Sequence, residues 1–159
     1  QHEPDEIPLF LNEIPFYDYD ILSGSRYFFP IKVGEDVPAD RYRINRKITA
    51  ILNRITGFGL TDSFCGFKMY KVEKLSQLHL TDYGYGMPLQ VWIHAWRMGL
   101  RVRELPVKLI YKDITKHFKG ILEDPDTRLR YYKAVIRKEL ADTEHRNVPV
   151  CRTNKTLRH

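Results

Sequence analysis

Cysteine is scarce in this 159-residue chain: the only two, Cys65 and Cys151, stand far apart. They supply neither a disulfide framework nor a paired zinc-ligand spacing, so a reducing compartment is the default. Long apolar runs are missing too. No stretch approaches the roughly 18 to 20 uninterrupted apolar residues of a membrane span, and the opening residues lack the charged, hydrophobic, small-residue order of a secretory leader. The expectation is a soluble or surface-bound protein, cytoplasmic or at the cytoplasmic face of a membrane. Repeats, low-complexity tracts and Gly/Ser linkers are also absent, which excludes solenoids and loosely strung domains. The length fits one domain or half of a larger one and is too short for two full-sized domains.

What is present points to a packed core. Hydrophobic residues make up 43% of the chain and aromatic residues 13%, too much apolar material for intrinsic disorder. Charge is unevenly placed. Residues 1–40 hold nine acids against Arg26 and Lys32, a balance of −7, so the overall +6 leaves +13 for residues 41–159. Such an excess suits phosphate-bearing ligands, anionic lipid headgroups or nucleic acid without choosing among them. It is sharpest over residues 41–60, where Arg41, Arg43, Arg46, Lys47 and Arg54 meet no acid; a solvated helix face is the plain alternative. The basic stretches lack interleaved exposed aromatics or a reading motif, so nucleic acid is not expected as a partner.

Hydrophobic spacing divides the chain into helices and strands. Ile7, Phe10, Leu11 and Ile14 predict a short amphipathic helix, with acids in its first turn where the helix dipole favours them. DYDILSGS reads as a strand entering a Gly/Ser turn, and FFPIKVGEDVPAD as a loop. Residues 39–56 place Ile44, Ile48, Ile51, Leu52 and Ile55 on one helical face, with Gly57 as C-terminal cap. A short strand through Phe67 to Tyr70, a brief helix carrying Val72, Leu75 and Leu78, and a mostly buried helix between Pro88 and Gly99 follow. Val102, Glu104 or Leu105, Val107, Leu109 and Tyr111 alternate as in a strand, with Pro106 marking an edge or bulge. Leu129, Tyr132, Val135, Ile136 and Leu140 mark a last amphipathic helix. The class is α/β, with about three strands, too few for a complete doubly wound sheet. The compact unit is expected over residues 1–145 and a loose tail over 146–159.

At QHEPDEIP, DYDILSGSRY, TDSFCGFKMY, DYGYGMPLQ and RVRELPVKLIY, in that order, the chain resembles the C-terminal half of family 2 glycosyltransferases, in particular the polyprenyl-phosphate sugar synthases such as dolichyl-phosphate mannose synthase. Motifs in register over residues 1–120 are far more specific than any single match. The resemblance implies a partial GT-A (Rossmann-like) fold, the acceptor side, with the nucleotide-binding half and its Asp-x-Asp metal motif lying upstream of Gln1. It implies a nucleotide-sugar donor and a divalent metal, Mg²⁺ or Mn²⁺, for the whole enzyme, with this chain alone inactive. Carried over residue by residue, Gln1 matches a side chain that helps hold the metal in some relatives, although one amide oxygen is no metal site by itself. Arg26 and Arg46 match phosphate-facing arginines, though the hydroxyl expected four positions after Arg46 is Ala50 here, with Thr49 as a partial replacement. Asp62 and the run Gly66 to Lys68 match an Asp-x-x-x-Gly-Phe-basic element. Gln90 stands where many relatives carry Glu. His117 and Lys119 occupy the place of a basic loop that closes over phosphate.

An inverting sugar transfer needs a stabilised leaving diphosphate and a nucleophile that is anionic or deprotonated as it attacks. A lipid phosphate acceptor is already anionic, and Arg26 and Arg46 would orient it, with Lys68, His117 and Lys119 as further phosphate ligands. A hydroxyl acceptor calls for a carboxylate base, and Asp62 is the candidate. Plain structural roles stand beside these. Asp62 could bond its own turn, Arg26 could pair with the acidic first helix, and Glu104 could pair with a nearby base. His94 reads as a satisfied core histidine, and Trp92 and Trp96 as core packing. A second class of function is a non-catalytic basic module meeting an anionic membrane surface through residues 41–56 and the last helix.

Overall fold

The computed structural model describes residues 2–15, 18–32, 37–110 and 120–142. Gln1, His117, Lys119 and the tail over 146–159 lie outside them. The chain folds as α1 (Ile7–Glu13), β1 (Ile21–Ser25), α2 (Ala39–Thr56), β2 (Lys68–Tyr70), α3 (Val72–Leu75), α4 (Met87–Arg97), β3 (Val102–Pro106) and α5 (Pro125–Ala141), with single 3-10 turns at Pro4–Glu6 and Gly120–Leu122. The α/β class is as expected. The described strands form one sheet in the order β2-β1-β3, with β1 antiparallel to β2 and parallel to β3. β3 is therefore an edge strand there, the position its proline suits, and it stops at Pro106, short of the predicted Leu109.

The two faces of the sheet bury separate cores. On one face Ile44, Ile48 and Leu52 of α2, Leu89, Trp92 and Ile93 of α4, and Tyr132, Val135 and Ile136 of α5 pack with Ile21. On the other, Phe10 of α1 meets Leu22, Cys65, Leu105 and Val107. The predicted amphipathic face of α1 is only partly used: Phe10 is buried, whereas Ile7, Leu11 and Ile14 are exposed, Ile14 at 56%. The helix carrying Val72 and Leu75 forms, but it buries neither: Val72 is 79% exposed and Leu75 is exposed too.

Helix ends follow local chemistry. Gly57 closes α2 at φ 72°, a left-handed cap that favours glycine, with its N–H on the Asn53 carbonyl. Asp124 caps α5 by accepting from the Thr127 N–H at 2.6 Å. α4 and α5 share a buried polar seam. Gln90 Nε2 donates to Glu139 Oε1 at 2.7 Å, His94 Nε2 lies 3.0 Å from Glu139 Oε2, and Arg97 Nη2 bonds the last carbonyls of α5 at Glu139, Leu140 and Asp142. His94 is thus the satisfied core residue expected. Gln90 also accepts from the Thr81 and Asp82 N–H groups at 3.0 and 2.8 Å, so its amide is fully committed to structure.

These contacts set α2, α4 and α5 side by side with their amino ends together. Arg128 in the first turn of α5 pairs with Asp40 in the first turn of α2. The Tyr131 hydroxyl donates to Asp82, just ahead of α4, at 2.5 Å. Gly86 leaves the room this needs, because a Cβ there would overlap Asp82 Oδ2 and lie 2.8 Å from the Tyr131 oxygen.

Candidate functional site

β1 ends at Ser25, and the next residue is Arg26. Its guanidinium grips Asp62 with the two donors of one edge, Nε to Oδ2 at 2.6 Å and Nη2 to Oδ1 at 3.0 Å, while its backbone N–H reaches Oδ2 at 3.2 Å. Asn45, in the second turn of α2, adds a bond from Nδ2 to Asp62 Oδ1 at 2.7 Å. The Phe64 N–H adds another at 3.2 Å. Asp62 is fully buried, and the Arg26 side chain is 16% exposed. Two residues 36 positions apart are thus joined at the carboxyl end of the parallel pair β1 and β3, the side on which open α/β sheets bind ligands.

The turn that presents Asp62 is built from α2. Asn53 Nδ2 donates to the Leu60 carbonyl and its Oδ1 accepts the Leu60 N–H, both at 2.8 Å, which folds residues 57–60 back onto the helix. Thr49 Oγ1, buried, lies 2.9 Å from Asn45 Oδ1 and 2.8 Å from Ser63 Oγ. From β3, Glu104 accepts the Thr61 N–H at 2.6 Å and the Thr61 hydroxyl at 2.7 Å on Oε2, and the Asp62 N–H at 3.0 Å on Oε1.

Electrostatics follow from this enclosure. Burial works against the charge of Asp62, but the Arg26 hydrogen bonds and charge, with Asn45, outweigh it and hold the carboxyl below its ordinary value. Burial likewise opposes the Arg26 cation, and Asp62 more than restores it, raising its affinity for the proton. Glu104 moves the other way: burial pushes its carboxyl up despite the Thr61 and Asp62 donors. Burial lowers His2, helped by the Arg26 charge; its ring lies 5.4 Å from that of Phe67.

The sequence-predicted residues separate accordingly. Arg26 and Asp62 come together. The plain alternative for Arg26, a surface ion pair with the acidic first helix, gives way to a buried pair with Asp62. Glu104 binds Thr61 and the backbone of the turn, where a base was expected. Arg46 follows Asn45 on α2 and is exposed, outside the bonds that join Asn45, Asp62 and Arg26. Thr49 is turned inward and Ala50 is exposed, so neither replaces the missing hydroxyl on the solvent side. Lys68 bonds the Cys65 carbonyl and lies 5.1 Å from the Trp92 ring centre, and burial lowers its affinity for a proton. Asn45, Thr61 and Ser25 were missed. Asn45 carried a signal, being a polar residue between Ile44 and Ile48 on the buried side of a helix.

No set of three or more His, Cys, Asp or Glu side chains gathers to hold a metal ion among the described residues. Asp18 and Asp20 have Asp-x-Asp spacing, but they lie ahead of β1 and face Lys71 and Arg101. No helix among the described residues is long and apolar enough to cross a membrane.

No protein-family model matches the chain. No solved structure matches it either. Two relatives are informative. The chain is 24% identical over 103 residues to the low-salt glycan biosynthesis hexosyltransferase Agl6 of Haloferax volcanii, covering 65% of this chain and 25% of that protein. It is 25% identical over 115 residues to the uncharacterized protein MJ1222 of Methanocaldococcus jannaschii, covering 71% of this chain and 47% of that protein. The chain therefore spans about half the length of one curated relative and a quarter of the other.

Proposed function

We propose that this chain supplies the phosphate-facing part of a family 2 glycosyltransferase that moves a sugar from a nucleotide-sugar donor to an acceptor. The observation that carries this reading is Arg26. Asp62 engages its Nε and Nη2, while Nη1 is not engaged among the described residues. A guanidinium locked on one edge and open on the other is pre-organised for a phosphate oxygen. The distant hexosyltransferase relative supports the transfer of a sugar as the reaction.

In the proposed step the acceptor oxygen bonds to the anomeric carbon from one side while the bond to the nucleotide diphosphate breaks on the other. The electron pair leaves with the diphosphate. Arg26 holds one of the participating phosphates by charge and direction. Asp62 acts by holding Arg26, since both its oxygens are occupied and its low proton affinity makes it a weak base. That commitment favours an acceptor needing no base, an anionic phosphate such as a polyprenyl phosphate. The described residues offer no donor set that fits a divalent metal.

The test is sugar transfer by the protein at its natural length, from radiolabelled nucleotide-sugars to polyprenyl phosphate. Arg26→Ala strands the buried Asp62 and lowers stability, so it is assayed under conditions in which circular dichroism shows it folded, and there it is expected to lower turnover at least about tenfold. Wild-type turnover in that variant removes the assignment.

A further inference from the structure

The proposed reading leaves Glu104 unused, yet its placement is costly without a purpose. Glu104 lies opposite Ser23 in the β1–β3 register, in the middle of an edge strand. Its neighbours Arg103 and Leu105 face the α1 side, where Arg103 Nη1 pairs with Glu13 at 2.8 Å and Leu105 joins the Phe10 core. Strand alternation therefore turns Glu104 toward the helical layer, which is mostly apolar. A partly buried carboxylate there is tolerated only if donors replace water. The turn ahead of Ser63 supplies three.

The bonds continue past that turn. The Thr61 hydroxyl, whose proton goes to Glu104, lies 2.5 Å from Ser25 Oγ, so Ser25 donates to Thr61. Ser25 Oγ in turn accepts the Tyr27 N–H at 3.2 Å. The residues on both sides of Arg26 are thus tied through Thr61 to Glu104, and the Arg26 side chain is tied to the same carboxylate through Asp62. We propose that Glu104 is the positioning residue of the site: its carboxylate fixes the Thr61–Asp62 turn and Ser25, and thereby sets the direction in which Arg26 meets a phosphate. This rests on the phosphate-facing role of Arg26. The requirement is for a glutamate. Both oxygens only accept, so an amide would turn its NH₂ against one of the donors, and an aspartate is one methylene short.

The experiment uses the whole 159-residue chain and two readouts. Hydrogen exchange of the Arg26 Nε–H, followed by ¹⁵N NMR and assigned by its loss in Arg26→Ala, reports the grip of Asp62 without any ligand. Inorganic pyrophosphate affinity, by titration calorimetry, reports the open edge. Glu104→Gln is expected to speed Nε–H exchange and weaken pyrophosphate binding, each about tenfold, with core amides such as that of Ile93 unchanged. Thr61→Val, which removes the hydroxyl links and keeps both backbone bonds to Glu104, is expected to show the same changes at about threefold. Arg103→Gln, on the other face of the strand, should leave both readouts as in wild type. Unchanged exchange in a folded Glu104→Gln overturns the positioning role, and if that variant does not fold, unchanged exchange in Thr61→Val does so. Faster exchange in Glu104→Gln with no wild-type affinity for pyrophosphate keeps the positioning and removes the phosphate role of Arg26. Loss of pyrophosphate binding in Arg26→Ala with wild-type exchange in Glu104→Gln does the reverse.

Discussion

The two ends of β1 hold charge in contrasting ways. At the amino end, Asp18 and Asp20 face Lys71 and Arg101, and Asp18 is 66% exposed. At the carboxyl end, Asp62 is fully buried against Arg26 with Asn45 as a third partner. The ingredients are the same, acids facing bases, but the solvent differs. Water screens Asp18 and competes for each of its bonds, so its pairing adds little to stability, whereas Asp20 beside it is buried and accepts the Arg101 backbone N–H at 2.8 Å. The Asp62–Arg26 pair has no such substitute, and either partner left alone would be a stranded charge. Asp18 can be altered freely; the carboxyl-end pair has to be kept or lost together.

The largest effect that would test this contrast is Asp62→Asn. It leaves Arg26 largely buried without its counter-charge and should cost about 3 to 5 kcal/mol in chemical denaturation. A loss no larger than that of an exposed substitution would make the two ends equivalent. Gly24→Ala comes next. A Cβ there would lie 2.9 Å from both methyl carbons of Val107 and 3.1 Å from the Phe67 carbonyl oxygen, so strand-end packing should lose about 1 to 3 kcal/mol. An unchanged melting temperature would show the carboxyl end to be pliable.

Acid separates the ends more finely. Asp62 has its proton affinity lowered by folding, so its stabilising contribution is full above the ordinary aspartate value and lost as pH falls through the folded value. Stability measured below about pH 4 should therefore fall more steeply in wild type than in Asp62→Asn. Asp18, lowered to about 2 by its bonds to Lys71 and Arg101, has the same sign, but it sits in open solvent. Its part should vanish at about 1 M salt while that of Asp62 persists. Asp18→Asn should be the smallest change of all, with a melting temperature inseparable from wild type. A salt-insensitive acid transition in Asp62→Asn would contradict this assignment.

Much of the fold could be read from the residues. The span of α2, its glycine cap, and the burial of α4 followed from periodicity and from Gly57 and Gly99, since those signals are local. The site was legible in its members and not in its bonds. Arg26 and Asp62 were singled out separately, but their union depends on how residues 57–60 fold back, and no spacing encodes that. Glu104 was misassigned for a similar reason: a carboxylate in a basic chain invites a cation, and its actual partners include backbone groups, which leave no mark on composition. α1 was over-read, because apolar spacing predicts a helix and one apolar face without saying what covers it.

The reciprocal grip of Asn53 on Leu60 bears on how this protein can change. An amide that both gives to and takes from one peptide unit measures the chain between them, so it acts as a length gauge for residues 54–59. Surface loops usually absorb insertions easily, but one extra residue here would slide Thr61 and Asp62 off Glu104 and out of reach of Arg26. Sequence drift in this loop is confined to substitution, and its length is part of the site.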